Sequence, residues 1–142
     1  MTASKNHKTL DVTIGGIRFV ATLPTAKTDT SAVEMRHMRA WERWIVETIC
    51  ERGSPSAEGF RFLRQRSGLK AAEVAALLGV REETISRWEN GKSEVSAATW
   101  DIAIAMANDR VHGRTDTIDR LRRRQKAWMT APKRVEMPAV RA

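Results

Sequence analysis

Two short stretches of helical periodicity, joined through a single glycine, constrain this chain more than any other feature. "KAAEVAALLG" places Val74, Leu77 and Leu78 on one stripe and stops at Gly79. "VREETISRWENGK" places Ile85 and Trp88 on one stripe and stops at Gly91. Steps of three and four residues between apolar positions are the mark of a helix with one buried face. A small residue, Ala75, inside the first stretch lets the second pack close. Gly79 permits the left-handed backbone conformation that turns the corner. Val80 and Ile85 then fill the angle between the two helices. The expected unit is a helix, a tight glycine turn and a second helix.

The surrounding pattern supplies partners for that pair. "AEGFRFLRQRS" carries Phe60, Phe62 and Leu63 and stops at Gly68. "SAATWDIAIAMAND" is apolar almost all round, so it is expected to be the central helix. His112-Gly113 breaks the chain before a basic helix, "DTIDRLRRRQKAWM", and a tail with two prolines. Upstream, "LDVTIGGIRFVATLP" alternates apolar and polar residues on either side of Gly15-Gly16. A Gly-Gly loop suits a type I′ turn, which predicts a hairpin pairing Ile14 with Ile17, Val12 with Phe19 and Leu10 with Ala21. The hairpin ends at Pro24. A polar loop follows, with Thr30 or Ser31 available as an N-cap. Met38, Trp41, Ile45 and Ile49 then form a helical stripe, stopped by Gly53 and Pro55. The expected fold class is mainly α. A five-helix helix-turn-helix domain is preceded by a small β-hairpin plus helix. The expected divisions are 1–55, 56–128 and a basic tail at 129–142, with no internal repeat.

Charge narrows the partners. The chain has a net charge of +8, and nine Lys/Arg stand against three acids from Arg114 to Ala142. Such a balance favours a polyanion: DNA, RNA or an anionic membrane surface. No apolar run reaches the length of a membrane span, and "MTASKNHKT" lacks the apolar region of a signal peptide, so a cytoplasmic protein is expected. The lone cysteine, Cys50, can form neither an internal disulfide nor a multi-cysteine zinc site, and its apolar helical setting reads as a buried small hydrophobe. His7, His37 and His112 are scattered. With no nucleophile motif, phosphate-cradling glycine loop or metal cluster, the chain is expected not to be an enzyme and to carry no catalytic residues, metal or cofactor.

The segment "LRQRSGLKAAEVAALLGVREETISRWENGK" closely resembles the XRE (Cro/C1 repressor-type) helix-turn-helix. The matching positions are Arg64, Gly68, Leu69, Val74-Ala75, Leu78-Gly79-Val80, Ile85-Ser86, Trp88 and Glu89-Asn90-Gly91-Lys92. The order of a hairpin, a helix, this segment and a long helix, together with "FRFLR", "ETISRWENG" and "TIDRLRRR", resembles the MqsA-type antitoxins. Members of that group usually carry a zinc finger built on Cys-x-x-Cys pairs. Here Thr28 and Ser31 stand nearest to one such pair, and hydroxyls are poor zinc ligands.

The resemblance implies which residues meet DNA. The reading helix lies in the major groove with its first turn near base edges. With Arg81 near the cap, Glu82, Glu83 and Thr84 fill that turn, and Arg87 shares a face with Glu83. The expected base contacts are Arg87, Glu83 and Thr84. Arg87 either forks onto guanine or pairs with Glu83 at the surface, and the first is favoured. Glu83 either accepts from cytosine N4 or suits the positive helix end. Glu82 serves the dipole or solvent. The expected phosphate contacts are Lys92, Asn90 and Gly91 on one side, with Lys70 and the amides of its helix on the other, joined by Ser86 and Arg81. Arg64 and Glu89 match an internal ion pair that joins two helices. Trp88 and Trp100 are expected in the core, and Trp41, Trp44 or Trp128 at a subunit contact. The expected function is a sequence-specific regulator binding a palindromic double-stranded operator as a homodimer, through the helices after Gly91. The alternative is an antitoxin that also silences a toxin through the hairpin and first long helix.

Overall fold

The computed structural model describes residues 6–141. A two-stranded antiparallel hairpin, β1 (His7–Ile14) and β2 (Ile17–Pro24), leads into six helices. These are α1 (Met35–Arg52), α2 (Ala57–Arg66), α3 (Ala71–Leu78), α4 (Glu82–Glu89), α5 (Ala97–Val111) and α6 (Asp116–Met129). Tail residues 130–141 have neither helix nor strand and are exposed.

Strand pairing follows from the alternation. Ile14 faces Ile17, Val12 faces Phe19 and Leu10 faces Ala21, as the pattern predicts. Gly15 and Gly16 have φ of 58° and 81°, the two positive values that a type I′ turn requires. One face of the hairpin then lies on the helices. Ile14 and Phe19 are buried, and Phe19 meets the Trp44 ring edge-on at 5.5 Å between centroids. The apolar cluster runs without a break from Ile14 and Phe19 through Ile45, Val46 and Ile49 to Phe60, Leu63 and Met106. The hairpin therefore shares one core with the helices.

One end of α1 differs from expectation and the other agrees with it. Helix α1 starts at Met35 with Glu34 at the cap, so neither Thr30 nor Ser31 caps it. The reason lies in the loop. Thr25 and Val33 form a bridge, the Ala26 amide bonds to the Ala32 carbonyl, and the Ser31 amide donates to the Asp29 carboxylate at 2.9 Å. The segment before Glu34 is thereby held in a turn closed by a bridge, not in a helix. At the other end α1 stops at Gly53 as expected, with φ −75°. Glycine fits there because a Cβ would approach the Ile49 carbonyl to 2.7 Å.

Helix α5 takes the central place that its apolar surface predicts, with α1, α2 and α6 packed around it. Trp100, Ala103, Met106 and Ala107 are its buried residues. Gly59 of α2 makes the α2–α5 crossing close, since a Cβ there would meet the Trp100 ring at 2.7 Å. Trp88 is half-buried, edge-on to Phe60 at 5.6 Å. Cys50 is also only half-buried.

The α5–α6 joint has a cap that local sequence rules miss. Thr115, at the cap of α6, makes no side-chain capping bond. Instead the Asp109 carboxylate of α5 accepts from the Thr117 amide at 2.9 Å and from its hydroxyl at 2.7 Å. Burial pushes the Asp109 carboxyl up. The two Thr117 bonds, with Arg114 and His112 nearby, outweigh that and hold it below the usual carboxylate value. Only Ile118 of α6 is fully buried, so the rest of this basic helix extends along and beyond the core.

Candidate nucleic-acid interface

The interface is built from the α3–α4 corner outward. The backbone leaves α3 through a Schellman turn: the Val80 amide bonds to the Ala75 carbonyl at 3.0 Å and the Gly79 amide to Ala76 at 3.4 Å. Gly79 has φ 68°, a left-handed value costly for a residue with a Cβ. Ala75 and Ile85 are buried, and half-buried Val80 packs against the same cluster. The corner thus fixes the direction of α4 through apolar contacts, leaving its opposite face free.

Arg81 is the cap of α4, and Glu82, Glu83 and Thr84 form its first turn. Arg81, Glu82, Glu83, Ser86, Arg87, Asn90 and Lys92 are exposed, whereas Thr84 is half-buried. Two carboxylates in the first turn suit the positive helix end. The surface pairing of Glu83 with Arg87 does not form. Arg87 instead donates from Nε to the Ser93 hydroxyl at 3.2 Å. The turn after α4 brings Ser93 there, because Gly91 has φ 71° and the amides of Lys92 and Ser93 both bond to the Arg87 carbonyl. Sequence spacing along one helix points to Glu83. The partner lies beyond the helix end, where periodicity carries no signal.

The same turn changes the account of backbone donors. The Asn90 amide bonds to Ser86, Gly91 to Trp88 and Lys92 to Arg87, so these N–H groups are committed to closing α4. The Asn90 side-chain amide also donates to the Ser86 hydroxyl at 3.2 Å. What this turn offers an anion is the Lys92 ammonium and the remaining Asn90 side-chain hydrogen. At α3 the backbone is open. The Glu73 carboxylate accepts from the Lys70 amide at 3.0 Å, and the first intrahelical bond is Val74 to Lys70. The amides of Ala71, Ala72 and Glu73 have no acceptor within the helix and lie beside the exposed Lys70.

Arg64 and Glu89 hold the unit together from beneath. Arg64 Nε donates to Glu89 Oε1, Nη2 donates to Oε2 at 3.3 Å, and Nη1 donates to the Leu69 carbonyl at 3.1 Å. Their side chains are only 15% and 12% exposed. One guanidinium therefore ties α2 to both the end of α4 and the turn before α3. Neither side chain is free to read bases.

Other chemistry is sparse. Burial, then the charges of Glu47 and Glu51, push the Cys50 thiol up, away from a reactive thiolate. His112 sits 2.9 Å from a Glu47 oxygen and links α5 to α1. Among the described residues no group of three or more His, Cys, Asp or Glu side chains is placed to hold a metal ion. No helix among them is long and apolar enough to cross a membrane.

Comparison with known proteins adds one match. Residues 60–103, from Phe60 in α2 to Ala103 in α5, match the family model described as helix-turn-helix. No curated protein and no solved structure matches the chain. The matched segment contains the α3–α4 corner, the Arg64–Glu89 pair and the exposed face of α4, which supports DNA binding by a regulator.

Proposed function

We propose that this chain is a transcription regulator that binds a palindromic double-stranded operator as a homodimer, with α4 in the major groove. The observation that carries this reading is the outward face of α4. Its fixed side packs on the core, while Glu83 and Arg87 are exposed, which supports a reading in which they meet the groove. Arg87 is the principal reader. Its hydrogen bond to Ser93 uses Nε and leaves the two terminal nitrogens for guanine O6 and N7. Glu83 selects against bases that offer no donor, and Thr84 lends its methyl where its half-buried position allows. Lys70, Arg81 and Lys92 supply charge to phosphates, with Asn90 and Ser86 as neutral supports. The dimer contact uses α5 and α6, where Ile102, Ala105 and Leu121 line an open groove of about 420 Å³. The reading gives the chain no catalytic role and no cofactor.

Selection of bound sequences from random DNA is expected to return a two-fold symmetric site with half-sites about one helical turn, roughly 34 Å, apart. Arg87→Ala is expected to relax one position in each half-site, with about 10- to 100-fold less discrimination there. Unchanged discrimination in Arg87→Ala would remove α4 as the reading helix. An asymmetric site would remove the dimer.

A second reading, of an MqsA-type antitoxin without zinc, is favoured by one observation. Val20, Ala21 and Leu23 of β2 with Ala40, Trp41 and Trp44 of α1 line an apolar groove of about 240 Å³. Trp44 is 41% exposed and Val20 50% exposed there. An aromatic anchor on an apolar groove is the form of a protein-binding hot spot. A toxin encoded beside this chain is expected to be neutralised on coexpression. Trp44→Ala is expected to abolish neutralisation and spare operator binding. Neutralisation that survives the substitution would exclude this groove as the toxin site.

A further inference from the structure

A second charged feature lies away from the α3–α4 corner. Four guanidiniums, those of Arg39, Arg43, Arg66 and Arg110, line a cleft of about 320 Å³ where α1 meets the ends of α2 and α5. Glu42 is the one carboxylate in its lining, and it already accepts from Arg66 Nη1 at 2.8 Å. Among the described residues the side chains of Arg39, Arg43 and Arg110 have no ion-pair or hydrogen-bond partner. Arg66 lies with its guanidinium carbon 4.9 Å from the centre of the Phe62 ring, and its Nε is buried with no acceptor. Gly68 forms part of the wall, and a Cβ there would press on the Arg110 guanidinium at 3.3 Å.

Helix ends explain some of these charges. Arg66 and Arg110 occupy the last turns of α2 and α5, where a cation suits the negative end of the dipole. Arg39 and Arg43 have no such reason. They stand in the interior of α1 at i, i+4, an arrangement that repels when both charges are alike. Convergence of all four on one concavity concentrates positive potential that Glu42 neutralises only in part.

We propose that this cleft binds a compact phosphate-bearing small molecule. Guanidinium forks match phosphate oxygens in pairs, and the positive charge left after the Glu42 pairing favours a ligand carrying more than one negative charge. The volume is at the lower end for small-ligand sites, roughly 300–1,000 Å³. A duplex backbone fits the cleft less well, because neither α3 nor α4 contributes a lining residue.

Inorganic pyrophosphate, titrated calorimetrically into the full chain at near-physiological salt, tests the assignment. Saturable binding of one pyrophosphate per chain is expected. Arg43→Ala and Arg110→Ala are each expected to weaken it at least about tenfold. Both side chains are exposed and unpaired, so these variants should fold, as their thermal melts will show. A control variant, Arg122→Ala with Arg123→Ala, removes two exposed charges from α6 and is expected to leave binding unchanged. Three results overturn the proposal. One is no saturable binding. Another is an equal loss in the α6 control, which would mean diffuse attraction to net charge. The third is a loss of duplex affinity in the cleft variants without pyrophosphate binding by the wild type, which would make the cleft a DNA-backbone contact.

Discussion

Raising salt from about 50 to about 200 mM is expected to lower affinity for the operator about 10³-fold. The number comes from the donors placed around the α3–α4 corner. Lys70, Arg81 and Lys92 are exposed cations at the ends of α3 and α4, three on each protomer and six on a dimer. Each phosphate neutralised releases condensed counterions, giving a log–log slope of about −0.9 per contact. Six contacts give a slope of about −5, and three give about −2.7, which corresponds to about a 40-fold loss over the same range. Fluorescence anisotropy across a salt series separates the cases. The steep slope supports a dimer gripping both half-sites, the intermediate one a monomer. A flat response would be incompatible with DNA binding. The acidic first turn of α4 explains why so much charge must come from elsewhere. Glu82 and Glu83 occupy the first turn of α4, so under the proposed reading α4 is expected to contribute selectivity and its neighbours grip.

Glu89→Ala is expected to destabilise the fold by about 2–3 kcal/mol. Removing one partner of a buried ion pair leaves the other charge desolvated and uncompensated, a cost of about 3–5 kcal/mol when burial is complete. The side chains here retain 15% and 12% exposure, which scales the cost down. Arg64 would keep only its bond to the Leu69 carbonyl. The effect should appear as a lower urea midpoint and a melting temperature lower by roughly 6–10 °C. Replacing both partners, with Arg64→Met and Glu89→Leu together, should cost less than Glu89→Ala alone, because no stranded charge remains. A Glu89→Ala change within about 0.5 kcal/mol of wild type would show that the pair does not join α2 to α4 energetically.

The contrast between Arg64 and Arg87 shows what one sequence can carry. Both are arginines near the corner, and the family resemblance assigns them opposite roles. Arg64 is held on three sides and faces inward. Arg87 is exposed and makes a single side-chain bond. Its partner is Ser93, not Glu83, because the chain reverses at Gly91 after α4 ends. The i, i+4 rule describes neighbours along a continuing helix and says nothing about a residue returning from a turn. The same reversal commits the amides of Asn90, Gly91 and Lys92, so donors that the sequence suggests for phosphates serve the helix end.

Local rules were sufficient wherever the physical cause is local. The β1–β2 register follows from period-two alternation around two glycines with positive φ, since a one-residue slip would turn Ile14 and Phe19 out to water. The α3–α4 corner follows from Ala75, Gly79 and Ile85, each a steric requirement within a few residues. Long-range pairings were left to the tertiary structure. Asp109 caps α6 from α5, Val33 pairs with Thr25 and delays the start of α1, and Arg39, Arg43, Arg66 and Arg110 meet from three helices. Such pairings depend on how helices cross, which side-chain packing sets and periodicity does not record. The sequence by itself therefore determined which helices form and which face of α4 is free. Only the tertiary structure decided what each exposed or half-buried charge meets, because an ion's partner is chosen by distance in space.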